Sequence, residues 1–295
     1  MGPLTRNGEG AVKIKIGLVG FGSWGKRHYE NWNRISEAEI VGVYDPAYKG
    51  KIFKDSLTSL LKAADAIDIV VPADSLADTA IAALQTSKHV LIEKPMSIDA
   101  AEARELQKVS NSHKEQVAMV GFIERFNPVF VKLQSIIGDL QGPGKIFCQR
   151  SGSPTLVARQ TGVLKDLSIH DLDLLRWYLG EPDFAAVRSS EGFYLSQVEV
   201  RFGDVEAIVI SDCLGPKIRR WVLTYPTDNI FAFFESDRWR LYMNNAEVAV
   251  DWHMPLEREL RYFLECIEKG DRPAPSVYDG LRMLEIIESD LIQSW

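Results

Sequence analysis

Ile16-Gly-Leu-Val-Gly-Phe-Gly-Ser-Trp-Gly25 is the stretch of sequence that decides the fold. A short apolar strand enters a turn whose glycines stand at positions 20, 22 and 25. In a dinucleotide-binding turn, the first glycine permits the tight bend, the second lets a phosphate approach the backbone, and the third lets the next helix pack close to the strand. The N-terminus of that helix then presents unpaired N–H groups and the positive end of its dipole to a pyrophosphate.

Asp45 strengthens this interpretation, because it ends a second apolar run where such folds carry an acid for the ribose. A glycine pattern can also arise by accident. Here, however, a strand pattern precedes the glycines, a helical pattern follows them, and Asp45 stands at the distance expected for the acid that binds the ribose. A carboxylate here repels a 2′-phosphate and favours NAD over NADP, although Lys49 and Lys51 lie close enough to weaken that preference. The expected cofactor-binding residues are Gly20, Phe21, Gly22, Ser23, Trp24, Gly25, Asp45, Pro72, Glu93 and Lys94.

The composition bounds the class of protein. The 295 residues suffice for about two domains, and a net charge of −7 argues against a nucleic-acid-binding surface, although a local basic patch could hold a phosphorylated ligand. Cys148, Cys213 and Cys266 lack metal-type spacing, so we expect free thiols in a reducing compartment and no metal. Met1–Arg6 lacks the apolar core of a signal peptide, and no apolar run approaches membrane-spanning length. We therefore expect a cytoplasmic protein without nucleic-acid or membrane partners.

Up to about Gly121 the chain alternates Val- and Ile-rich runs with helical patterns. Such runs are typical of a parallel sheet covered on both faces, and right-handed crossovers then give a doubly wound sheet. We expect strands at 13–20, 39–44, 66–71, 89–93 and 116–120, and helices near 24–36, 55–64, 75–87 and 99–112. Residues 1–121 are thus expected to form an NAD-binding Rossmann domain.

The alternation of strand and helix patterns ends after a helix expected near 127–137. The strand patterns that follow are joined by short turns with few helices between them, which predicts a large, mostly antiparallel sheet. We expect strands at 145–150, 184–189, 197–202, 206–212, 220–224, 230–235 and 238–243, and helices near 166–179, 256–269 and 277–292. The fold class is therefore α/β, with a second α+β domain over residues 122–295 that carries the substrate site and the oligomer contacts.

Lys94 is the first candidate for chemistry. The segment Glu93-Lys94-Pro95 stands at the carboxyl end of the fourth expected strand, where ligands sit in a doubly wound sheet. Lys94 would then point at the reactive side of the cofactor. A surface lysine in a loop fits the same segment.

Asp166 and His170 are the second candidate, four residues apart in a helical pattern, with Asp173 a further turn along. An acid and an imidazole on one face fix a tautomer, as a proton-transfer pair requires. A surface ion pair, or a helix cap by Asp166, fits equally well. A third candidate, Glu124-Arg-Phe-Asn-Pro128, is either a polar cluster that lines a pocket or the N-terminus of a helix.

Together these segments resemble the Gfo/Idh/MocA family, named for glucose–fructose oxidoreductase and inositol dehydrogenase. The resemblance covers nearly the whole chain and rests on the glycine turn, Tyr44-Asp-Pro46, the Glu-Lys-Pro segment and the Asp-x-x-x-His pair, and continues through Ser276–Ile286. Residues 121–128 and 162–167 are similar to the branch of UDP-N-acetylglucosamine 3-dehydrogenases. Leu76 departs from the family pattern, which often has a histidine there.

The resemblance implies an NAD-dependent oxidoreductase that moves a hydride between nicotinamide and a hydroxyl-bearing carbon of a sugar or nucleotide sugar. It makes His170 the general base, Lys94 the group that stabilises the reacting oxygen, and Asp166 the residue that orients the pair. It also favours a cis Lys94–Pro95 bond. The residues that it implies for substrate contact are Arg125, Asn127 and Arg159.

Three alternatives to this activity stay open. A non-catalytic NAD-binding sensor is possible on the same scaffold, although the intact Lys94, Asp166 and His170 speak against it. Relatives also use tightly held NAD for glycoside cleavage, or reduce carbonyl groups of compounds other than sugars.

Apolar side chains of the second domain predict a homodimer or homotetramer. Their number exceeds what one helix-covered face of a sheet needs, and a large exposed apolar face marks an interface. We expect this face to include Val222, Phe231, Phe233, Trp239 and Leu241.

Overall fold

The computed structural model describes residues 13–189 and 194–289. Residues 1–12, which contain the opening segment considered above for a targeting signal, and residues 290–292, the expected end of the last helix, lie outside this part. The chain divides into two compact units, residues 1–123 with 254–281 and residues 124–253 with 282–295.

The first unit is built on a parallel sheet in the order β2-β1-β3-β4-β5. Its strands are β1 Ile14–Val19, β2 Ala38–Tyr44, β3 Ala66–Ile69, β4 His89–Glu93 and β5 Ala118–Gly121. Every residue of β3 and β5 is buried, as in a sheet covered on both faces. The strand order reverses between β1 and β3, where a doubly wound sheet opens its ligand crevice. The expected doubly wound sheet is confirmed.

Helices in the described ranges are α1 Ser23–Trp32, α2 Leu57–Ala63, α3 Ala73–Gln85, α4 Ala100–Ser112, α5 Pro128–Ile137, α6 Leu156–Val163, α7 Ile169–Leu179, α8 Pro255–Lys269 and α9 Val277–Ile287. Asp99 caps α4 by accepting a bond of 2.9 Å from the N–H of Glu102, as its sequence predicts. None of the helices described is long and apolar enough to cross a membrane.

The segment 254–281 joins the first unit, although the sequence pattern places it in the second domain. Helix α8 packs on α1, and Arg261 of α8 lies 2.9 Å from Glu37. The backbone N–H of Val120 in β5 donates to the carbonyl of Pro275. The periodicity of α8 shows which of its faces is apolar but not which sheet or helix covers that face, so the sequence leaves its partner undecided.

The second unit contains a sheet in the order β13-β12-β11-β10-β6-β9-β8-β7. Only β6 and β9 pair in parallel among these described strands, so the sheet is mostly antiparallel, as expected. The strands are β6 Gly144–Ser151, β7 Phe184–Ser189, β8 Leu195–Phe202, β9 Val205–Asp212, β10 Ile218–Thr224, β11 Asn229–Glu235, β12 Arg238–Met243 and β13 Ala246–Glu247.

Trp239 and Leu241 do not belong to the outer face of this sheet, so the sequence expectation for them is wrong. Both are buried, and Trp239 packs against Phe130 of α5 with ring centres 4.7 Å apart. Side chains alternate between the faces of a strand, and the pairing of Phe231 with Tyr242 puts Trp239 and Leu241 on the opposite face. The outer row, defined by residues paired across neighbouring strands, is Tyr242, Phe231, Val222, Phe147 and Ile208.

Candidate active site

The turn between β1 and α1 has the backbone form that its glycines predict. Gly20 has a φ of +96°, and a Cβ there would lie 2.2 Å from the carbonyl oxygen of Val70. A Cβ on Gly25 would lie 2.3 Å from the carbonyl oxygen of Gly20, whereas one on Gly22 would meet nothing within 4 Å. The backbone at Gly22 thus faces open space at the start of α1, where no side chain caps the helix. These features fit a pyrophosphate held at the helix N-terminus.

Asp45 lies beside this turn. Its Oδ2 accepts a bond of 2.7 Å from the N–H of Phe21, and its Oδ1 accepts one of 2.9 Å from the N–H of Ala47. The Phe21 ring meets the rings of Tyr48 and Phe53 edge-on. Asp45 therefore has a structural role that sequence reasoning missed, and its contact with a ribose stays a prediction.

Pro72 lies at the carboxyl end of the same sheet. It precedes α3, and its carbonyl accepts a bond of 2.9 Å from the N–H of Ser75. Leu76, which replaces the histidine frequent in the family, is buried within α3. This position therefore contributes apolar packing rather than a polar contact.

Glu93 and Lys94 stand where β4 ends. The Oε1 of Glu93 accepts a bond of 2.7 Å from the indole N–H of Trp24, and its Oε2 accepts one of 3.1 Å from the backbone N–H of Lys94. Burial alone would raise the pKa of Glu93, but contacts with His28 and Trp24 outweigh it, and the pKa is lowered. Lys94 is half-buried, and the Lys94–Pro95 bond is cis, as expected.

A buried charged cluster behind this segment escaped the sequence analysis. His28 Nδ1 lies 2.8 Å from Asp68 Oδ2, which also accepts a bond of 2.7 Å from the indole N–H of Trp32. His28 Nε2 lies 3.2 Å from Glu93 Oε1. Burial would lower the pKa of His28, but the two carboxylates raise it to about 10. Two features of the sequence could have indicated this cluster. Asp68 interrupts an apolar strand, and Trp24, His28 and Trp32 follow one another at intervals of four residues, on one face of α1.

Asp166 lies in a π-helical turn, Leu164–Ser168, between α6 and α7. It is buried, and its Oδ2 accepts a bond of 2.5 Å from the hydroxyl of Thr155, the residue that caps α6. His170 is half-buried and is the second residue of α7. The expectation of a shared helical face assumed a regular α-helix, and a π-turn changes the spacing on which that expectation rests.

Arg125 and Asn127 occupy structural positions in the second unit. The Nε and Nη2 of Arg125 donate to the two carboxylate oxygens of Asp173 at 2.8 and 2.6 Å, and both side chains are buried. Asn127 caps α5 by accepting from the N–H of Val129, and its amide donates to Glu124. The helix-start alternative for this segment is therefore what the structure shows, and substrate contact by either residue stays a prediction.

Arg159 is exposed on α6, a helix that the sequence analysis did not predict. It lies three residues before Gly162, whose φ of +80° interrupts the helix. Its contact with substrate also stays a prediction.

A second buried network holds α7 in place and was not predicted. The Nε of Arg150 donates to Asp171 at 2.9 Å, and its Nη1 donates to Glu124 at 2.8 Å. The indole of Trp221 donates to the same Asp171 at 2.7 Å. Burial raises the pKa of Asp171 despite the guanidinium beside it. Since Asp171 follows His170 directly, this network fixes the backbone that carries the imidazole.

Comparison with known proteins gives concordant results. Residues 14–122 match the family model described as "Oxidoreductase family, NAD-binding Rossmann fold". The inositol 2-dehydrogenase of Rhizobium meliloti (strain 1021) is 26% identical over 320 aligned residues, covering 94% of this chain and 96% of that protein.

Solved structures share the fold at lower identity. The UDP-N-acetylglucosamine 3-dehydrogenase GnnA from Acidithiobacillus ferrooxidans superposes with a TM-score of 0.82 at 21% identity, covering 94% of this chain and 96% of that one. KijD10, a 3-ketoreductase from Actinomadura kijaniata in complex with TDP-benzene and NADP, superposes with a TM-score of 0.80 at 16% identity, covering 96% and 99%. The glycine turn, the Glu-Lys-Pro segment and these matches agree with the resemblance to the Gfo/Idh/MocA oxidoreductases, whose NAD-binding family model residues 14–122 match.

Proposed function

We propose that the protein is an NAD-dependent dehydrogenase that acts on a CH–OH group of a sugar or nucleotide sugar. The observation that carries this proposal is the open glycine turn beside Asp45, in a chain that also keeps Lys94, Asp166 and His170. The names of an inositol 2-dehydrogenase relative and of a UDP-N-acetylglucosamine 3-dehydrogenase neighbour support a ring hydroxyl as the reacting group.

The first unit supplies the groups that would hold the dinucleotide. The N–H groups at the start of α1 would bind the pyrophosphate, and Asp45 would accept from the adenosine ribose. When bound, NAD supplies the hydride acceptor for alcohol oxidation or, in its reduced form, the donor for the reverse reaction. KijD10, which shares the fold, has been solved with NADP, and the carboxylate of Asp45 would favour NAD over NADP in this chain.

Three residues would manage the proton and the developing charge. His170 would accept the hydroxyl proton, because a neutral imidazole is the side chain best suited to this near neutral pH. The ammonium of Lys94 would stabilise negative charge on the reacting oxygen. Asp166, held by the hydroxyl of Thr155, would favour the imidazolium that forms on His170.

The finer assignments belong to the same proposal. The substrate is a polyol, a free sugar or a UDP-sugar, and Arg125, Asn127 and Arg159 are the side chains proposed to contact it. We place the protein in the cytoplasm, in line with its three buried free thiols, Cys148, Cys213 and Cys266. The outer row of the large sheet is proposed as the contact of a homodimer or homotetramer.

Nicotinamide absorbance over a substrate panel tests the activity. The panel contains free sugars, polyols including myo-inositol, and UDP-sugars including UDP-N-acetylglucosamine, each with NAD and with NADP. We expect NADH to accumulate with one of these classes, and the variant His113→Ala, which lacks an imidazole at the end of α4, to match the parent protein. A ligand that binds without turnover would identify a sensor instead, and glycoside cleavage without net NADH would identify a hydrolase.

A further inference from the structure

One stripe of α1 carries Trp24, His28 and Trp32, each four residues after the last. Two carboxylates from neighbouring strands fit between them, Asp68 from β3 and Glu93 from β4. The contacts run in order: Trp32 to Asp68 at 2.7 Å, Asp68 to His28 at 2.8 Å, His28 to Glu93 at 3.2 Å, and Glu93 to Trp24 at 2.7 Å. We call these five residues the α1 chain. It links the first turn of the helix, directly after the glycine turn, to its last residue.

The two carboxylates favour the protonated form of His28. Its Nδ1 lies 2.8 Å from Asp68 Oδ2, and its Nε2 lies 3.2 Å from Glu93 Oε1 without the geometry of a hydrogen bond. Burial of the ring opposes the positive charge, but the two carboxylates outweigh it and raise the pKa of His28 to about 10. No group of three or more His, Cys, Asp and Glu side chains in the described ranges is arranged as a metal site.

Glu259 approaches the same cluster from α8, which packs on α1. It is fully buried, and neither of its carboxylate oxygens has a hydrogen-bond partner among the described residues. Burial and the charge of Glu93 hold the pKa of Glu259 well above its ordinary value. This shift favours the neutral form of Glu259, and Asp68 and Glu93 are the carboxylates that contact His28.

Glu93 is the member that reaches the proposed active site. One of its oxygens accepts from the Trp24 indole and the other accepts from the backbone N–H of Lys94. Gly121 of β5 makes room for this carboxylate, since a Cβ there would lie 3.1 Å from Glu93 Oε1. One carboxylate therefore joins the start of the phosphate-binding helix to the peptide group that carries Lys94.

We propose that Trp24 is a positioning residue that couples the phosphate-binding turn to Lys94 through Glu93. Docking of the cofactor phosphates at the start of α1 then fixes the indole, the indole fixes the Glu93 carboxylate, and the carboxylate fixes the backbone of Lys94. The inference rests on the proposed function in one respect, namely that Lys94 acts at the nicotinamide end of the cofactor.

Calorimetric binding of NADH and of ADP-ribose to two matched variants tests this coupling. ADP-ribose keeps the adenosine and both phosphates but lacks nicotinamide. Trp24→Phe removes the indole donor at the Glu93 end, and Trp32→Phe removes the same donor at the Asp68 end. We expect Trp24→Phe to weaken NADH binding about fivefold to tenfold, as for loss of a hydrogen bond to a charged group, with ADP-ribose changed less than about twofold. Trp32→Phe should leave both affinities within about twofold of the parent.

Two outcomes of this binding experiment would contradict the proposed coupling. Equal losses for NADH and ADP-ribose in Trp24→Phe would mean that the indole contacts the phosphate region directly, and equal effects in both variants would mean a purely structural role. Either result overturns the coupling. If Trp24→Phe does not fold, as judged by its Tm, Glu93→Gln replaces it, because this change keeps an oxygen for the indole but removes the charge, and the same selective loss for NADH is expected.

Lys94→Ala separates failure of this inference from failure of the proposed function. If it leaves the ratio of NADH to ADP-ribose affinity unchanged, Lys94 does not act near nicotinamide, and its proposed role fails. If Lys94→Ala changes the ratio while Trp24→Phe does not, only the coupling fails. Nitrogen NMR of ¹⁵N-histidine-labelled protein adds a readout without ligand: the signals absent from His28→Gln should show two N–H groups at pH 8, and Trp24→Phe should shift the Nε2 signal.

Discussion

His170 and Lys94 divide the proposed chemistry between a proton acceptor and a cationic partner for the reacting oxygen. The backbone of His170 is held by the buried Arg150–Asp171 pair, and that of Lys94 by Glu93. Each is therefore a half-buried side chain on a fixed support. General acid–base catalysis needs a side chain that is held within hydrogen-bond reach of the proton it transfers, and a fixed backbone helps to meet this requirement.

His170→Ala should lower turnover by roughly two to four orders of magnitude, because the hydroxyl proton loses its acceptor, while NADH affinity stays nearly unchanged. Lys94→Ala should lower turnover as well and also weaken NADH binding. Steady-state kinetics with the substrate found in the panel, together with NADH titrations, measure both effects. Near-normal turnover in His170→Ala would transfer the base role to Lys94 or to water.

Asp166→Asn should fall between the parent and His170→Ala in turnover and should shift the pH profile, since it removes a charge that supports the imidazolium. Its effect should not add to that of His170→Ala, because groups that handle one proton act as a unit. Additive losses in the double variant would show that Asp166 acts independently of His170.

Asp45 should set the preference for NADH over NADPH. Repulsion between its carboxylate and a 2′-phosphate predicts NADPH binding weaker by about tenfold or more. Asp45→Asn keeps an oxygen that can accept from the N–H of Phe21, and it should reduce the difference between the NADH and NADPH affinities. Asp55→Asn, which changes an exposed residue of the first unit, should leave that difference unchanged. Fluorescence titration of both cofactors measures the constants, and equal or reversed affinities in the parent protein would show that Asp45 is misassigned.

At the scale of elements, the sequence predicts local structure best where a particular backbone conformation or helix cap favours one residue type. The turn at Gly20, the cap by Asp99 and the helix end at Gly180, where φ is +88°, were all predictable for this reason. Helix α6 was not, because Gly162 breaks its pattern, and the π-turn that carries Asp166 has no such signature. These two failures lie in the segment proposed to be catalytic.

The buried His28, beside the carboxylates of Asp68 and Glu93, makes the stability of the protein depend on pH. A histidine whose pKa is raised on folding, here from 6.5 to about 10, stabilises the fold below pH 6.5 and loses that contribution as pH rises towards 10. The groups facing it are Asp68, Glu93 and Glu259, and Lys94 lies beside Glu93. The Tm advantage of the parent over the double variant His28→Gln/Asp68→Asn should therefore shrink between pH 7 and 9.5. A constant difference would mean that His28 is neutral in the folded protein.

Glu259→Gln provides the matched control for this experiment. Because the raised pKa of Glu259 means that its folded state holds a proton which the unfolded chain releases above about pH 4.5, Glu259 opposes folding increasingly as pH rises. The amide cannot ionise, so the variant should match or exceed the Tm of the parent at pH 8. A large fall in its Tm at that pH would show that Glu259 is ionised and paired.

At the scale of the whole molecule, the outer row of the large sheet should bind another subunit. Phe231 is 41% exposed in this row, where it lies between Tyr242 and Val222. Light scattering at micromolar concentration should give a dimer or tetramer, and Phe231→Lys should yield a smaller species. Leu156→Lys, which changes an exposed leucine on α6, should not. A monomeric parent protein would contradict the assignment.

The sequence identified candidate side chains more readily than their partners. Arg125 bonds to Asp173, 48 positions away, and His28 meets Asp68, 40 positions away. Such pairs depend on how separate elements pack, which local spacing does not encode. Lys94 and Asp45 could be proposed from the sequence because each follows a strand at the ligand-binding edge of a doubly wound sheet, and the topology alone defines that edge.

Deuterium transfer tests the central claim most directly. The substrate identified in the panel, deuterated at the carbon that bears the reacting hydroxyl, would be incubated with the protein and NAD, and the reduced cofactor examined by mass spectrometry. If the protein is a dehydrogenase of CH–OH groups, the NADH formed carries deuterium, and His170→Ala forms the same labelled NADH at a rate lower by roughly two to four orders of magnitude. Consumption of the substrate with unlabelled cofactor, or with no reduced cofactor, would contradict the account.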